Sequence, residues 1–298
     1  MLKSIRPKGR VIFAYLLIPM VLYIFAVFFP LITAGYYSFF EWKGGPNKTF
    51  IGIDNYVSLV KDSVFRHAFS HNIYLVVACI IGQIGIAFVF VLMINSRLVK
   101  LKGLHRTFGF FPSTVSAVSI GFIWTMVYDS RRGILNWAIG HFSKGNAKYV
   151  WLNDPKIIML LIAIPLIWQF IGYYMVIIIS AISSVDAEIF EVAELDGANG
   201  FQRAIYIVLP LIKNTLLVCV TLCIAGNMKA FDHIFVMTTG GPGNASMVMA
   251  LYGYKVSFMQ QNMGYGSAIS VGIFIVSLVV IGGSQSIVGY LTREKGGK

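Results

Sequence analysis

Five long runs without a charged residue constrain this chain more than any other feature. Each is long enough to cross the roughly 30 Å hydrocarbon core of a bilayer, for which a helix needs about 20 apolar residues. The runs are Val11–Phe40, Asn72–Ser96, Thr107–Tyr128, Ile157–Val185 and Val256–Thr292. A sixth stretch, Asn214–Met228, has only 15 uncharged residues between two lysines, and we interpret it as a short span. The pattern predicts an all-α membrane protein with about six transmembrane helices.

The composition agrees with a membrane protein and not with a soluble one. Hydrophobic residues make up 57% of the chain and charged residues only 12%, whereas soluble domains have about 25% charged residues. Much of the basic charge behind the formal net charge of +12 lies between the apolar runs, so we expect a lipid environment and no nucleic-acid partner. The first run is uncharged over 30 residues, too long for the roughly 7–15-residue core of a secretory signal, and we interpret it as a retained helix.

The distribution of lysine and arginine predicts the orientation, since cytoplasmic segments are enriched in both. The predicted external loops also carry basic residues, so the bias is one of density and the first segment dominates it. With both termini in the cytoplasm, the cytoplasmic segments hold Lys3, Arg6, Lys8, Arg10, Arg97, Lys100, Lys102, Arg106, Arg203, Arg293, Lys295 and Lys298. The external segments hold Arg131, Arg132, Lys144 and Lys148.

Several kinds of chemistry are missing from the sequence. The five long runs contain no aspartate, glutamate, lysine or arginine, which argues against an ion-coupled carrier and against an intramembrane enzyme. No GxxxxGK[ST] phosphate loop occurs, so ATP is not bound through that motif. The three cysteines, Cys79, Cys219 and Cys223, show no metal-ligand spacing. We therefore predict no catalytic residue, no cofactor site and no metal site in this chain.

An acidic segment between the fourth and fifth spans has the local signals of a helical hairpin. Ser183–Tyr206 contains five carboxylates, and Asp186 can cap a first helix. Gly197 stands where a helix-ending glycine adopts a left-handed conformation. Asn199 and Gln202 have the spacing of a capping box for a second helix. From these residues alone, a solvated amphipathic loop without a partner is an equal alternative.

The hairpin resembles the EAA motif of ABC-importer permeases. The matching residues are Glu191, Ala193, Asp196, Gly197, Ala198, Ile207 and Pro210. Three positions depart from the usual pattern of that family: Val192 replaces an alanine, Ala204 a frequent phenylalanine and Asn214 a frequent second proline. These departures leave the resemblance intact and bear on how the hairpin fits its partner.

Further segments resemble carbohydrate importers of the maltose and glycerol-3-phosphate permease type, over about Asn72 to Tyr290. The segments are Phe110–Trp124, Gly133–Trp137, Trp151–Pro155, Ile167–Met175, Phe231–Ser246 and Met263–Ser270. The last two are more similar to the first of the two paired permeases than to the second. The chain lacks the additional N-terminal spans and the large external insertion of the maltose subunit, and it is similar to the plainer six-span form.

This resemblance implies a type I ABC-importer transmembrane domain in the cell membrane of a bacterium or archaeon. It implies three partners: a second permease subunit, cytosolic P-loop ATPases that use ATP-Mg, and an external solute-binding protein. The residues that it implies for coupling to the ATPase are Glu191, Ala193, Glu194, Asp196, Gly197 and Ala198. We divide the chain into residues 1–71 (tail, first helix and external loop), 72–290 (transporter core, with the hairpin at 183–206) and 291–298 (cytoplasmic tail).

The substrate path is the least readable part of the sequence. Sugar recognition requires aromatic faces and hydrogen-bonding groups in a wet cavity. The candidates are Trp168, Gln169 and Tyr173 in the fourth span, and Cys223 and Asn227 in the fifth. Ordinary helix packing is the alternative role for each of them. The competing functions are an ion-coupled carrier and a membrane assembly or receptor protein without transport; among importers, a polyol or glycerol phosphate remains an alternative substrate.

Overall fold

A computed structural model of the chain describes residues 8–95, 99–143 and 149–293. These residues form two compact units: one comprises the residues up to Asp62 together with Gly253–Phe274, and the other Ser63–Tyr252 together with the residues from Ile275 onward. Part of the evidence for orientation lies outside the described residues, as does most of the predicted tail 291–298. The basic residues concerned are Lys3, Arg6, Arg97, Lys144, Lys148, Lys295 and Lys298.

The first unit begins with a long apolar helix followed by a small β-hairpin. Its elements are α1 (Gly9–Tyr37), β1 (Phe40–Trp42), β2 (Lys48–Phe50) and α2 (Asp54–Lys61). The antiparallel strands place Phe40 opposite Phe50. The side-chain amide of the buried Asn55 donates to the carbonyls of Ser38 (2.8 Å) and Phe40 (3.1 Å), which fixes the hairpin to α2.

The second unit contains most of the helices. They are α3 (Ser63–Ile94), α4 (Lys102–Thr114), α5 (Ala117–Val127), α6 (Ile134–Ser143), α7 (Ile158–Ser183), α8 (Ala187–Leu195), α9 (residues 200–211), α10 (Lys213–Met228) and α11 (Asp232–Met237). Two further helices, α12 (Met249–Tyr254) and α13 (Met263–Arg293), contribute residues to both units.

Among the described residues, length and hydropathy identify five helical segments that can cross a membrane. They are α1, α3, α7, the pair α10–α11 and residues Met263–Ser286 of α13. The short fifth window corresponds to α10 within one residue at its start, and α11 extends that span to Met237. Counting α4 and α5 as one bent span gives six, which confirms the predicted fold class.

The third window, Thr107–Tyr128, is not one straight helix, contrary to the simplest interpretation of its sequence. The axes of α4 and α5 differ by 98°, because Val115 (ψ 142°) and Ser116 (ψ 136°) are extended. The hydroxyl groups of Ser113 and Thr114 donate to carbonyls three residues earlier. Such local bonds compete with helix continuation, so α4 ends there.

Helix α7 lies at the centre of the second unit and has a local defect at Pro165. Proline has no N–H, which leaves the carbonyl of Leu161 without its helical partner. The hydroxyl of the buried Tyr128 donates to that carbonyl (3.1 Å). One turn later, the amide of Gln83 donates to the carbonyl of Leu166 (3.0 Å). Side chains from α3 and from the end of α5 thus donate to the backbone of α7, and the Tyr128 hydroxyl replaces the helical donor that Leu161 lacks.

Helices α4 and α7 approach each other at two glycines. A Cβ atom on Gly172 would lie 1.9 Å from the carbonyl oxygen of Gly109. This contact is with backbone, so the two helices would have to separate. Gly226 on α10 is exposed, and a Cβ atom there would meet nothing within 4 Å.

We expect Gly172→Ala to lower the midpoint of thermal unfolding of the detergent-solubilised protein, because overpacking costs about 1–3 kcal/mol. Gly226→Ala is the matched control and should leave that midpoint unchanged or slightly higher. Size-exclusion chromatography after a temperature series measures both. Equal midpoints for the two variants would contradict the close approach of α4 and α7.

Candidate functional site

The acidic segment folds as a helix–glycine–helix hairpin. At the end of α8, Gly197 has φ +75°. Its N–H donates to the carbonyl of Glu194 (3.1 Å), and the N–H of Ala198 donates to that of Ala193 (3.0 Å). This pair of bonds is a Schellman motif. The predicted left-handed glycine is therefore confirmed.

The second arm of the hairpin begins with the predicted capping box. The Asn199 side chain accepts from the N–H of Gln202, and the Gln202 side chain accepts from the N–H of Asn199, both at 2.9 Å. Asp186 occupies the N-cap position of α8, but its side chain makes no capping hydrogen bond. Local bonds at the turn and at the second arm thus fix the shape of the hairpin.

The predicted coupling residues differ in exposure. Glu191, Glu194 and Asp196 are exposed, whereas Ala193 is only 5% exposed. Ala193 is therefore buried inside the hairpin, and its carbonyl accepts one of the two hydrogen bonds of the turn. The most exposed apolar side chain of α8 is Leu195 (87%). The outer surface of the first arm thus combines carboxylates with an uncovered apolar side chain.

A cavity of about 750 Å³ separates the hairpin from the ends of α3 and α7. Its walls are mostly apolar, with one carboxylate and one guanidinium. The residues that define it include Leu92, Met93, Ile182, Phe190, Glu194 and Arg203. The cavity therefore lies between the hairpin and the ends of those two helices.

Two of the predicted substrate-path residues present aromatic surface on α7. Trp168 is 43% exposed and Tyr173 37% exposed. The Trp168 ring meets the ring of Trp124 on α5 edge to face, with centroids 6.2 Å apart. Gln169 lies beside Trp168 in sequence but is buried, and its amide donates to the carbonyl of Val115 (3.0 Å). The side-chain oxygen of Gln169 is buried without a hydrogen-bond partner in the described part of the chain.

The other two predicted residues, Cys223 and Asn227, lie in the interior of the second unit. The Asn227 amide donates to the carbonyl of Cys223 in its own helix (2.8 Å). The thiol of Cys223 lies 3.5 Å from the side-chain oxygen of Gln83. The structure thus brings these two residues to a buried polar cluster with Gln83, apart from the exposed aromatic rings of α7.

One residue of this cluster was not singled out from the sequence. Asn72 is fully buried and donates to the carbonyls of Asn227 (2.8 Å) and Met228 (3.2 Å). Its own oxygen accepts from the N–H of Met249 (2.9 Å). Asn72 therefore joins α3, the end of α10 and the start of α12. The only sequence signal for this role was an asparagine at the first position of the uncharged run Asn72–Ser96.

The residues in the ranges 8–95, 99–143 and 149–293 include no group of three histidines, cysteines or carboxylates that could hold a metal ion. The arrangement offers a rigid acidic hairpin, a bent span and a central helix with exposed aromatic rings.

Comparison with known proteins identifies the family. Residues 91–291 match the family described as binding-protein-dependent transport system inner membrane component. This chain belongs to that family. It is a membrane-embedded permease component of a transport system, as the sequence resemblance implied.

Relatives and a solved structure agree. A protein of Pyrococcus horikoshii described as a probable ABC transporter permease is 33% identical, over 86% of this chain and 87% of that one. The multiple sugar-binding transport system permease protein MsmF of Streptococcus mutans is 28% identical, over 89% and 91% of the two chains. A bacterial ABC transporter that imports alginate shares the fold of this permease, with a TM-score of 0.83, 20% identity and coverage of 95% and 96%.

We expect Asn72→Ala to destabilise the permease, because it leaves the buried N–H of Met249 without its acceptor and removes a donor from the carbonyls of Asn227 and Met228. A buried unsatisfied group costs about 1–3 kcal/mol. Asn244→Ala, at an exposed position, is the control. Thermal unfolding in detergent compares the two, and equal stability would show that the Asn72 bonds do not hold α3, α10 and α12 together.

Proposed function

We propose that this permease imports a carbohydrate or a related polyol and is driven by a cytosolic P-loop ATPase that docks on the coupling hairpin, residues 183–206. The observation that carries the proposal is the locally fixed helix–Gly197–helix shape of this hairpin between α7 and α10. ATP-Mg is used by the ATPase, and this chain is the non-catalytic subunit.

The surface of the hairpin supports docking of a protein with basic and apolar groups. The exposed carboxylates of Glu191, Glu194 and Asp196 can form charge-assisted hydrogen bonds with arginine or lysine. Val192 and Leu195 are 56% and 87% exposed and would lose that exposure in a groove. Gly197 and Ala198 set the angle at which the two arms meet the groove.

The remaining partners follow from the architecture of the family. A second permease would complete the pathway, and a solute-binding protein would deliver the substrate on the face opposite the hairpin. A solved structure of an alginate ABC transporter contains a periplasmic protein bound to an alginate pentasaccharide, which supports a binding-protein partner. The hairpin and both termini then lie on the cytoplasmic side.

Two observations support a carbohydrate substrate. The relative MsmF is named for a multiple sugar-binding system. Trp168 and Tyr173 expose ring surface on α7, and Trp124 supports the Trp168 ring. Aromatic faces of this kind suit the apolar faces of sugar rings. A polyol or glycerol phosphate is the alternative that transport assays would distinguish.

Purification of the tagged permease in mild detergent tests the proposed assembly. We expect a P-loop ATPase and a second six-span permease to copurify, and mass spectrometry identifies them. Recovery of this chain alone, as a stable homo-oligomer, would contradict docking of an ATPase on the hairpin.

We expect Gly197→Pro to uncouple ATP hydrolysis from uptake while the spans remain folded. Proline fixes φ near −65°, whereas Gly197 has φ +75° and donates its N–H to Glu194. Gly200→Ala is the control. The φ angle of Gly200 is not positive, and a Cβ atom there would meet nothing within 4 Å. Uptake and ATPase rates in proteoliposomes report both variants, and normal uptake by Gly197→Pro would refute the coupling role.

We expect Trp168→Ala to raise the half-saturation concentration for uptake by up to about tenfold, or about 1.4 kcal/mol, through loss of the ring face. Trp168→Phe keeps an aromatic ring and should change it less. Asn227→Ala tests the buried cluster in the same assay. An unchanged value in Trp168→Ala or in Asn227→Ala removes that residue from the substrate path.

A further inference from the structure

Helix α6 carries an apolar stripe that the described residues of its own unit leave exposed. Ile134 is 66%, Trp137 70% and Phe142 86% exposed. His141 is exposed as well, and its ring stacks on that of Trp137, with centroids 5.8 Å apart. These four residues fall within about two fifths of the helix circumference. We call them the α6 stripe.

The opposite face of α6 is attached firmly to the protein. Asn136 is 4% exposed, and its amide donates to the carbonyls of Ser130 (3.1 Å) and Tyr149 (2.9 Å). Its oxygen accepts from the indole N–H of Trp151 (2.8 Å). Leu135, on the flank of the helix, packs against the core cluster that contains Tyr128. The helix therefore cannot rotate to bury its stripe without breaking these bonds.

The connection from α5 to α6 is also rigid. The Asp129 side chain accepts from the N–H groups of Arg131 (2.9 Å) and Arg132 (2.7 Å), and these bonds lower the pKa of Asp129 below its ordinary value. A Cβ atom on Gly133 would lie 2.3 Å from the Asp129 carbonyl oxygen. The orientation of α6 relative to α5 is thus set by a tight turn that ends in an obligatory glycine.

The same connection places α6 beside the ends of two apolar helices. Tyr128, next to the last residue of α5, donates to Leu161 in the first turn of α7, so the ends of these two helices lie side by side. Helix α6 begins six residues after Tyr128. The coupling hairpin follows the other end of α7, so α6 and the hairpin lie near opposite ends of this candidate span.

We propose that α6 lies in the outer lipid interface as a surface helix, with the α6 stripe among the acyl chains. Tryptophan and other amphipathic rings favour this zone of a bilayer, and helices with one apolar face lie in its plane. The exposed guanidinium groups of Arg131 and Arg132 stand at the start of the helix, where lipid phosphates are in reach. The partner is the lipid surface itself, and the inference does not depend on the substrate.

Spin labels on the reconstituted transporter test this assignment. Ile134→Cys, Trp137→Cys and Phe142→Cys each receive a nitroxide, and collision rates with oxygen and with a water-soluble nickel chelate are compared. Lys156→Cys is the matched control, since Lys156 is exposed and lies two residues before α7. The unaltered chain controls for background labelling, because its three cysteines are buried.

We expect oxygen to collide with the three stripe labels more often than the nickel chelate does, and the reverse at residue 156. Water exposure of the stripe labels equal to that of residue 156 would overturn the proposal. Stripe labels that are exposed to water in proteoliposomes, and shielded only after the solute-binding protein is added, would also overturn it and would assign the stripe to that protein.

Discussion

The structure depends on the requirement that no backbone polar group at membrane depth stays without a hydrogen bond. The helical hydrogen-bond pattern is interrupted at Pro165 in α7, and it is interrupted again between α4 and α5. Side chains from distant segments donate to backbone carbonyls at or beside these breaks. They are Tyr128 for the carbonyl of Leu161, Gln83 for that of Leu166 and Gln169 for that of Val115. These bonds also attach α3 and α5 to α7, so backbone satisfaction and helix packing have the same cause.

The sequence predicted the features that local chemistry decides. Charge-free windows located the spans, and the residue types at Gly197 and Asn199 predicted a left-handed turn and a capping box that the structure contains. The bend between α4 and α5 could not be predicted in this way. Its extended backbone at Val115 is stabilised by Gln169, which lies 54 residues further along the chain. A window of apolar residues carries no record of such a partner.

The same limit applies to the candidate substrate path. A polar side chain in an apolar span can satisfy the backbone or face a water-filled path, and its residue type does not separate the two. Cys223 and Asn227 are buried in a cluster with Gln83 and Asn72, where their polar groups contact one another and the backbone. Aromatic rings have few polar groups that need a hydrogen bond, and Trp168 retains exposed surface. Exposure therefore divides the predicted residues in a way that spacing along the helix does not.

Helix α7 connects the exposed aromatic surface to the coupling hairpin by one continuous segment. From Gln169 to Ser183 it runs without a proline, over about 21 Å at 1.5 Å per residue. Under the proposed coupling, a displacement of the hairpin would pass along this helix to Trp168 and Gln169, and Pro165 is the next proline beyond them. Gln169 bonds to the break between α4 and α5. If α7 moves, the segment between α4 and α5 must move with it, or the hydrogen bond from Gln169 to the Val115 carbonyl must break. This bond therefore links the bent span to the proposed action of the ATPase.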